Sequence, residues 1–273
     1  MTHYDNVLTA RRLGLDTQQE PMVFVRPDCR VCRSEGFDTH ARVELRNGSR
    51  SVIATLYHVT SGLLAESEAA LSDSAWRHLG VAEGDTISFH HPRPVLSLSA
   101  VRGKAYGNRL GEAEFRTIIG DIVHGLYSDI HISSFVTACT ARPLDIDEMV
   151  ALTRAMVDAG DRIAWPSALV VDKHSVGGLP GNRTTPIIVA IVAANGLCMP
   201  KTSSRAITSP AGTADTMEVL APVDLDVPAM RRVVEQEGGC IAWGCAVRLS
   251  PADDILIRVE RALDIDSEGD RKS

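Results

Sequence analysis

No run of eighteen apolar residues occurs in the 273-residue chain, so no membrane-spanning helix is expected. The opening stretch, MTHYDNVLTARRLGLD, lacks the charged-then-apolar pattern of an export signal, which points to a cytoplasmic protein. An excess of basic charge is missing too. The net charge is −7 and the pI about 5.7, which argues against nucleic acid or an anionic membrane as partner. Any bound anion must then sit in a local cationic pocket. Six cysteines with no export signal read as reduced thiols, not as a disulfide framework. Cys29 and Cys32 form a Cys-x-x-Cys pair without a second pair nearby. Zinc would need two more ligands, for which His40 and His58 are candidates; free thiols are the plainer reading, and no metal is expected. No Gly-Lys-[Ser/Thr] closes a P-loop, and Gly-x-Gly-x-x-Gly is absent, which excludes both common nucleotide fingerprints.

What is present is an ordinary globular composition, 44% hydrophobic and 23% charged. The length suits one large domain or two to three small ones. Over 1–95, short β-like runs recur at 22–25, 41–45, 51–58 and 86–90, with one helix over 72–79. Asn47-Gly48 is a hairpin signal. His90-His91 before Pro92 reads as a strand end. Residues 92–110, with two prolines, two glycines and scattered cations, read as a linker. From Glu112 the period becomes helical: Phe115, Ile118, Ile119, Ile122 and Val123 share a face. Helices over 133–140 and 146–159 follow, the second capped by Asp145 and ended by Gly160. Tyr127, His131 and Phe135 suit either a core or a partner surface. The expected plan is α/β and multi-domain: a small mostly-β domain over 1–95, a linker and helical subdomain over 96–165, and an α/β phosphate-binding segment over 166–273.

The remaining chain is organised around 168–213. Ala168-Leu169-Val170-Val171 reads as a short buried strand. It runs into Asp172-Lys173-His174-Ser175 and a loop with three glycines and a proline. The apolar stretch 187–194, closed by Asn195-Gly196, reads as a buried helix. Strand, glycine-rich turn and helix make an anion cradle, because inward backbone N–H groups and the helix N-terminus both favour negative charge. Lys173, Ser175, Thr184 and Thr185 add a cation and three hydroxyls. A second polar loop, 202–213, adds further hydroxyls and Arg205. Two polar loops, each after an apolar segment, suggest one shared site. Beyond them the pattern gives helices over 214–220, 227–237 and 251–263, and a buried strand over 240–243. Cys240 and Cys245 read as small core residues.

Lys173-His174-Ser175-Val176-Gly177-Gly178, followed by Ser203-Ser204-Arg205-Ala206-Ile207-Thr208-Ser209-Pro210-Ala211-Gly212-Thr213, resembles the pyrimidine-nucleoside phosphorylase family. The second motif is similar to the branch holding the AMP phosphorylases and the long bacterial thymidine phosphorylases, and the resemblance runs from about residue 26 to 266. It implies an extra N-terminal domain, a helical part that carries a homodimer interface and rotates to close the cleft, and inorganic phosphate as co-substrate with no cofactor. Chemistry and motif position together assign phosphate to Lys173, Ser175, Thr185, Ser203 and Thr213, and the base to His174. The resemblance implies a nucleotide-lining role for Gly178, Ser204, Arg205, Ala206, Ile207, Thr208, Ser209 and Thr213. It also makes Asp266, in Leu263-Asp264-Ile265-Asp266, the acid for the leaving base. The family's chain continues past this point with a serine and a lysine that grip the base and a further α/β portion, so the base pocket and a sheet edge are expected to be incomplete over these 273 residues.

Phosphorolysis needs a dianion held beneath an oxocarbenium-like sugar and a donor at the departing base, which these side chains supply. Thymidine or another pyrimidine nucleoside is one expected substrate. A nucleoside 5′-monophosphate such as AMP is the other, supported by the 204–209 motif and the β domain. A related phosphoribosyltransferase would need a Gly-Thr-Gly-Gly-Asp loop, and Lys173-His174-Ser175 argues against it. A non-catalytic phosphate-binding remnant is the reading from another class.

Overall fold

The computed structural model describes residues 6–174, 183–205 and 212–263. These form two compact units: residues up to Leu96 with Gly125–Ile130, and Ser97–His124 with the chain from His131 onward.

The first unit is built on β1 (Val7–Leu15), β2 (Met22–Val25), α1 (Arg30–Glu35), β3 (Arg42–Asn47), β4 (Arg50–His58), β5 (Glu68–Ser72), α2 (Asp73–Leu79) and β6 (Thr86–His90). The strands close into a barrel in the order β1-β5-β2-β4-β3-β6. Alternation decides the inward face. Val23 and Val25, Val43 and Leu45, and Ile87 and Phe89 are all fully buried in one core. The 47–50 hairpin forms as expected, with Asn47 paired to Arg50 and Gly48 at φ 58°. Ser72 caps α2 through its hydroxyl, and Gly80 closes it in left-handed backbone.

Three elements here escaped the sequence reading. In β1 neither arginine is buried: Arg11 pairs with Glu68 at 2.9 Å, and Arg12, next to a register shift, lies over the Trp76 ring at 5.7 Å. Two adjacent charges masked the alternation. The second, β5, is buried at four consecutive residues because α2 packs across it, which removes the period of two. The third, α1, starts within the Cys-x-x-Cys pair: the Cys29 sulfur accepts the Cys32 N–H at 3.4 Å as its cap. Both cysteines belong to the barrel core. The Cys32 sulfur lies 3.7 Å from His58 Nε2, while the His40 ring is edge-on to Tyr57. Among the described residues no group of three or more His, Cys, Asp or Glu is arranged to hold a metal.

The second unit begins with four helices: α3 (Leu98–Ala105), α4 (Glu112–Val123), α5 (Asp129–Ala141), whose first two residues are grouped with the barrel unit, and α6 (Ile146–Asp158). The stretch 92–110, expected to be a linker, therefore contains a helix. Its anchor is Lys104, whose ammonium is buried against Glu148 at 2.8 Å, a partner 44 residues away that no local pattern reveals. Glu148 also accepts the N–H groups of Leu110 and Asp145, so one carboxylate ties α3, the following turn and the start of α6. The face Phe115, Ile118, Ile119 and Ile122 is buried as expected, with Phe115 edge-on to Phe135 at 6.4 Å. Tyr127 and Phe135 are buried, so they serve a core. Asp145 caps α6, but Ala159 ends it in right-handed backbone. Gly160 is required for another reason: a Cβ there would collide with the Leu249 carbonyl.

Beyond α6 come α7 (Thr184–Ala194), β7 (Met199–Ser203), α8 (Thr213–Glu218), α9 (Val227–Glu237), β8 (Gly239–Trp243), α10 (Gly244–Val247) and α11 (Pro251–Leu263). The strands β7 and β8 pair in parallel, and Val170 joins the outer side of β7 through a single parallel bridge to Cys198. Here two expectations are corrected. The 168–171 segment is not a buried strand: Leu169 and Val170 are exposed on a segment paired along one edge, and only Val171 packs on the core of Val189, Met199 and Ile241. Nor is α7 buried all round. Thr185 and Val189 face the sheet, whereas Ile187 and Ile191 are more than half exposed. A wholly apolar helix hides which side packs. Gly239 lets α7 lie close, since a Cβ would stand 3.2 Å from Val189. The 251–263 helix forms as read and packs on α4 and α6. No described helix is long and apolar enough to cross a membrane.

Candidate anion-binding site

The three parallel segments, the 168–171 stretch, β7 and β8, all point their carboxyl ends the same way. Open α/β sheets bind ligands at that end. Asp172, Lys173 and His174 leave the first segment there, and Ser203, Ser204 and Arg205 leave β7. The first turn of α7 reaches the same end, since Lys173 Nζ donates to Thr185 Oγ1 at 3.2 Å. Thr185 is buried, so its hydroxyl holds a fixed position at the helix N-terminus. The loop after β7 returns to Thr213, the first residue of α8, where the Ala214 N–H donates to the Ser204 carbonyl at 3.3 Å.

Two of the residues expected to bind phosphate, Lys173 and Thr185, are thus in direct contact, and Ser203 and Thr213 lie at the two ends of the second loop. His174 is exposed next to Lys173, and Ser204 is exposed beside Ser203. Ser175, Gly178, Ala206, Ile207, Thr208, Ser209 and Asp266 lie outside the described residues.

Arg205, expected to line a nucleotide, is held by protein groups. Its guanidinium stacks over the Trp243 ring at 4.7 Å and forms a fork to Glu218, one arm at 2.8 Å. It also reaches Asp215 at 3.3 Å and Asp224 at 3.5 Å. These bonds raise the Arg205 pKa, and Arg205 in turn holds the Glu218 carboxyl below its usual range.

Sequence reasoning missed Lys201. It sits mid-strand in β7, only 9% exposed, with its ammonium 3.0 Å from Asp172. The pair orients the backbone just before Lys173. A lysine inside a strand-like run requires a partner, and Asp172 preceding the glycine loop was the available acid. Trp243 was read as part of a strand, but its contact with Arg205 had no local signature.

A cation paired with a fixed hydroxyl at a helix N-terminus, with Ser203 and Thr213 at the ends of the second loop, suits a small oxyanion. Comparison with known proteins identifies the family. Residues 98–160 match the helical bundle domain of a glycosyl transferase family, and residues 167–267 match the a/b domain of the same family. Together these cover more than half of the chain, and the chain belongs to this glycosyl transferase family. It is 64% identical over 264 residues to a protein from Acidovorax sp. (strain JS42) named "Putative thymidine phosphorylase 2", covering 97% of this chain and 52% of that protein. It is 63% identical to a "Putative thymidine phosphorylase" from Polaromonas sp. (strain JS666 / ATCC BAA-500), covering 96% and 51% respectively. The chain spans about half the length of the curated relatives it matches. The anthranilate phosphoribosyltransferase of Thermus thermophilus shares the fold, with a TM-score of 0.52 at 23% identity over 63% of this chain and 52% of that one.

Proposed function

We propose that this chain supplies the phosphate-binding half of a pentosyltransferase site that cleaves thymidine by phosphorolysis. One phosphate oxygen attacks C1′ of the sugar while the C1′–N bond breaks. The base leaves with the bonding pair and takes up a proton, giving free thymine and deoxyribose 1-phosphate. The observation that carries this reading is the Lys173–Thr185 contact at the carboxyl end of the parallel strands, where α7 begins. Two relatives that align over nearly the whole chain and carry thymidine phosphorylase in their names support the substrate.

In this mechanism Lys173 neutralises charge on the dianion, and the hydroxyls of Thr185, Ser203, Thr213 and Ser175 donate to its oxygens. Holding the nucleophile in line replaces a bimolecular encounter. His174 orients the base, and Asp266 protonates it. Inorganic phosphate is a co-substrate, no cofactor takes part, and the working form is a homodimer or higher homo-oligomer.

The test is phosphate-dependent base release from thymidine, uridine, AMP and CMP, with Lys173→Ala alongside. Thymine release that falls at least about a hundredfold in the variant supports the proposal. Preference for AMP or CMP would move the substrate to the nucleoside monophosphates. Release that is indifferent to phosphate or to Lys173 would overturn it.

A further inference from the structure

Arg205 stands at the start of the loop that the proposed phosphate site depends on, yet its guanidinium is taken up by protein groups, Glu218, Asp215, Asp224 and Trp243. One arm of its fork and the Trp243 stack lock its orientation, and a guanidinium held this way has little freedom to follow a ligand. Asp215 links two chain positions: Oδ1 accepts from Arg205 at 3.3 Å, and Oδ2 accepts the Gly212 N–H at 2.8 Å. Arg205 and Gly212 bracket the second loop, so one carboxylate joins its two ends. The Ser204 carbonyl, bonded to the Ala214 N–H, doubles the closure. Trp243 ends β8, the strand paired with β7, so the joined loop is referred to the sheet.

Charge gives the arrangement a second consequence. Asp215, Glu218 and Asp224 follow closely after Thr213, and three carboxylates there would repel an arriving dianion. Arg205 draws all three toward itself.

We propose that Arg205 is a positioning residue that clamps the ends of the second loop through Asp215 and Trp243 and offsets the carboxylates behind it, leaving recognition of the nucleotide to other groups. The proposal rests on the phosphate-site reading for its functional consequence and on the geometry alone for the clamp.

The experiment separates the two. Inorganic phosphate affinity is measured by titration calorimetry, and amide hydrogen exchange is followed at Gly212 and Ala214 without phosphate, for the parent chain, Arg205→Gln and Arg205→Lys. Arg205→Gln is expected to weaken phosphate about tenfold or more and to speed exchange at both amides. Arg205→Lys restores the charge without the planar fork, so it recovers part of the affinity while exchange stays fast. Should Arg205→Gln fail to fold, Asp215→Asn reads the same clamp, since it keeps an acceptor for Gly212 and loses the charged tie; faster exchange is again expected. Unchanged exchange in the folded variant would overturn the clamp, as would a loss confined to thymidine or AMP affinity with phosphate affinity intact, the mark of a direct ligand. If the parent chain binds no phosphate, the site reading fails while the exchange result still judges the clamp.

Discussion

The barrel and the α/β segment use the same apolar residue types to different ends. In the barrel every apolar side chain on the inward face, from Val23 to Phe89, is sealed, because a closed sheet has no free edge and one interior. In the α/β segment the most apolar stretch of the chain, α7, leaves Ile187 and Ile191 exposed, and Leu169 and Val170 lie on a segment held by one bridge. Hydrophobicity therefore marks burial reliably where alternation specifies a face, and poorly where a run is apolar on all sides.

The contrast is sharpest in the cores. Phe89→Ala, which removes a fully buried ring from the barrel, is expected to cost about 3–5 kcal/mol. Urea denaturation followed by circular dichroism measures it. A cost below about 1 kcal/mol would show a barrel interior that collapses around the gap.

A polar core lies between these extremes. Burial pushes the Glu148 carboxyl up, but the Lys104 ammonium and the Leu110 and Asp145 N–H groups outweigh it and hold it below the ordinary range. A depressed carboxyl contributes stability above its unfolded pKa, and that contribution is lost as pH falls through the folded value. Stability of the helical part should thus be full near neutrality and decline only below the usual glutamate range, about pH 4.3. Glu148→Gln should cost about 3–5 kcal/mol at neutral pH by leaving Lys104 buried without its counter-charge, and should flatten the acid limb. Parallel acid limbs for parent and variant would contradict the assignment.

The smallest effect belongs to the exposed face of α7. Ile187→Ala should change stability by no more than about 0.5 kcal/mol in the same denaturation experiment, against the several expected at Phe89. A loss of about 2 kcal/mol or more would mean that this face is covered in solution, and would erase the difference between the two regions.

How much could be read in advance follows from the same physics. Strands β2 and β6, and helices α9 and α11, were legible to the residue because their signals are local: alternation, an Asp226 cap, a Gly238 stop, acids in the first turn. The lysine, threonine and serine candidates were selected on oxyanion chemistry and motif order, and of them the structure brings Lys173 and Thr185 into contact. The long-range partners of the charged side chains were not legible. Lys201 with Asp172, Arg205 with Trp243 and Lys104 with Glu148 join residues 29 to 44 positions apart, and local sequence at most shows that a partner is needed, as at Lys201, without fixing which one.

By itself the sequence determined the chemistry available at the site and the elements whose period or caps are local. Only the tertiary structure decided which side of an all-apolar segment packs, that a six-stranded barrel closes with β1 beside β5 and β6, and that the arginine of the second loop pairs with its neighbouring carboxylates. Local signals act through backbone geometry over one or two turns, whereas burial and charge pairing are settled by whichever distant group folding brings within a few ångströms.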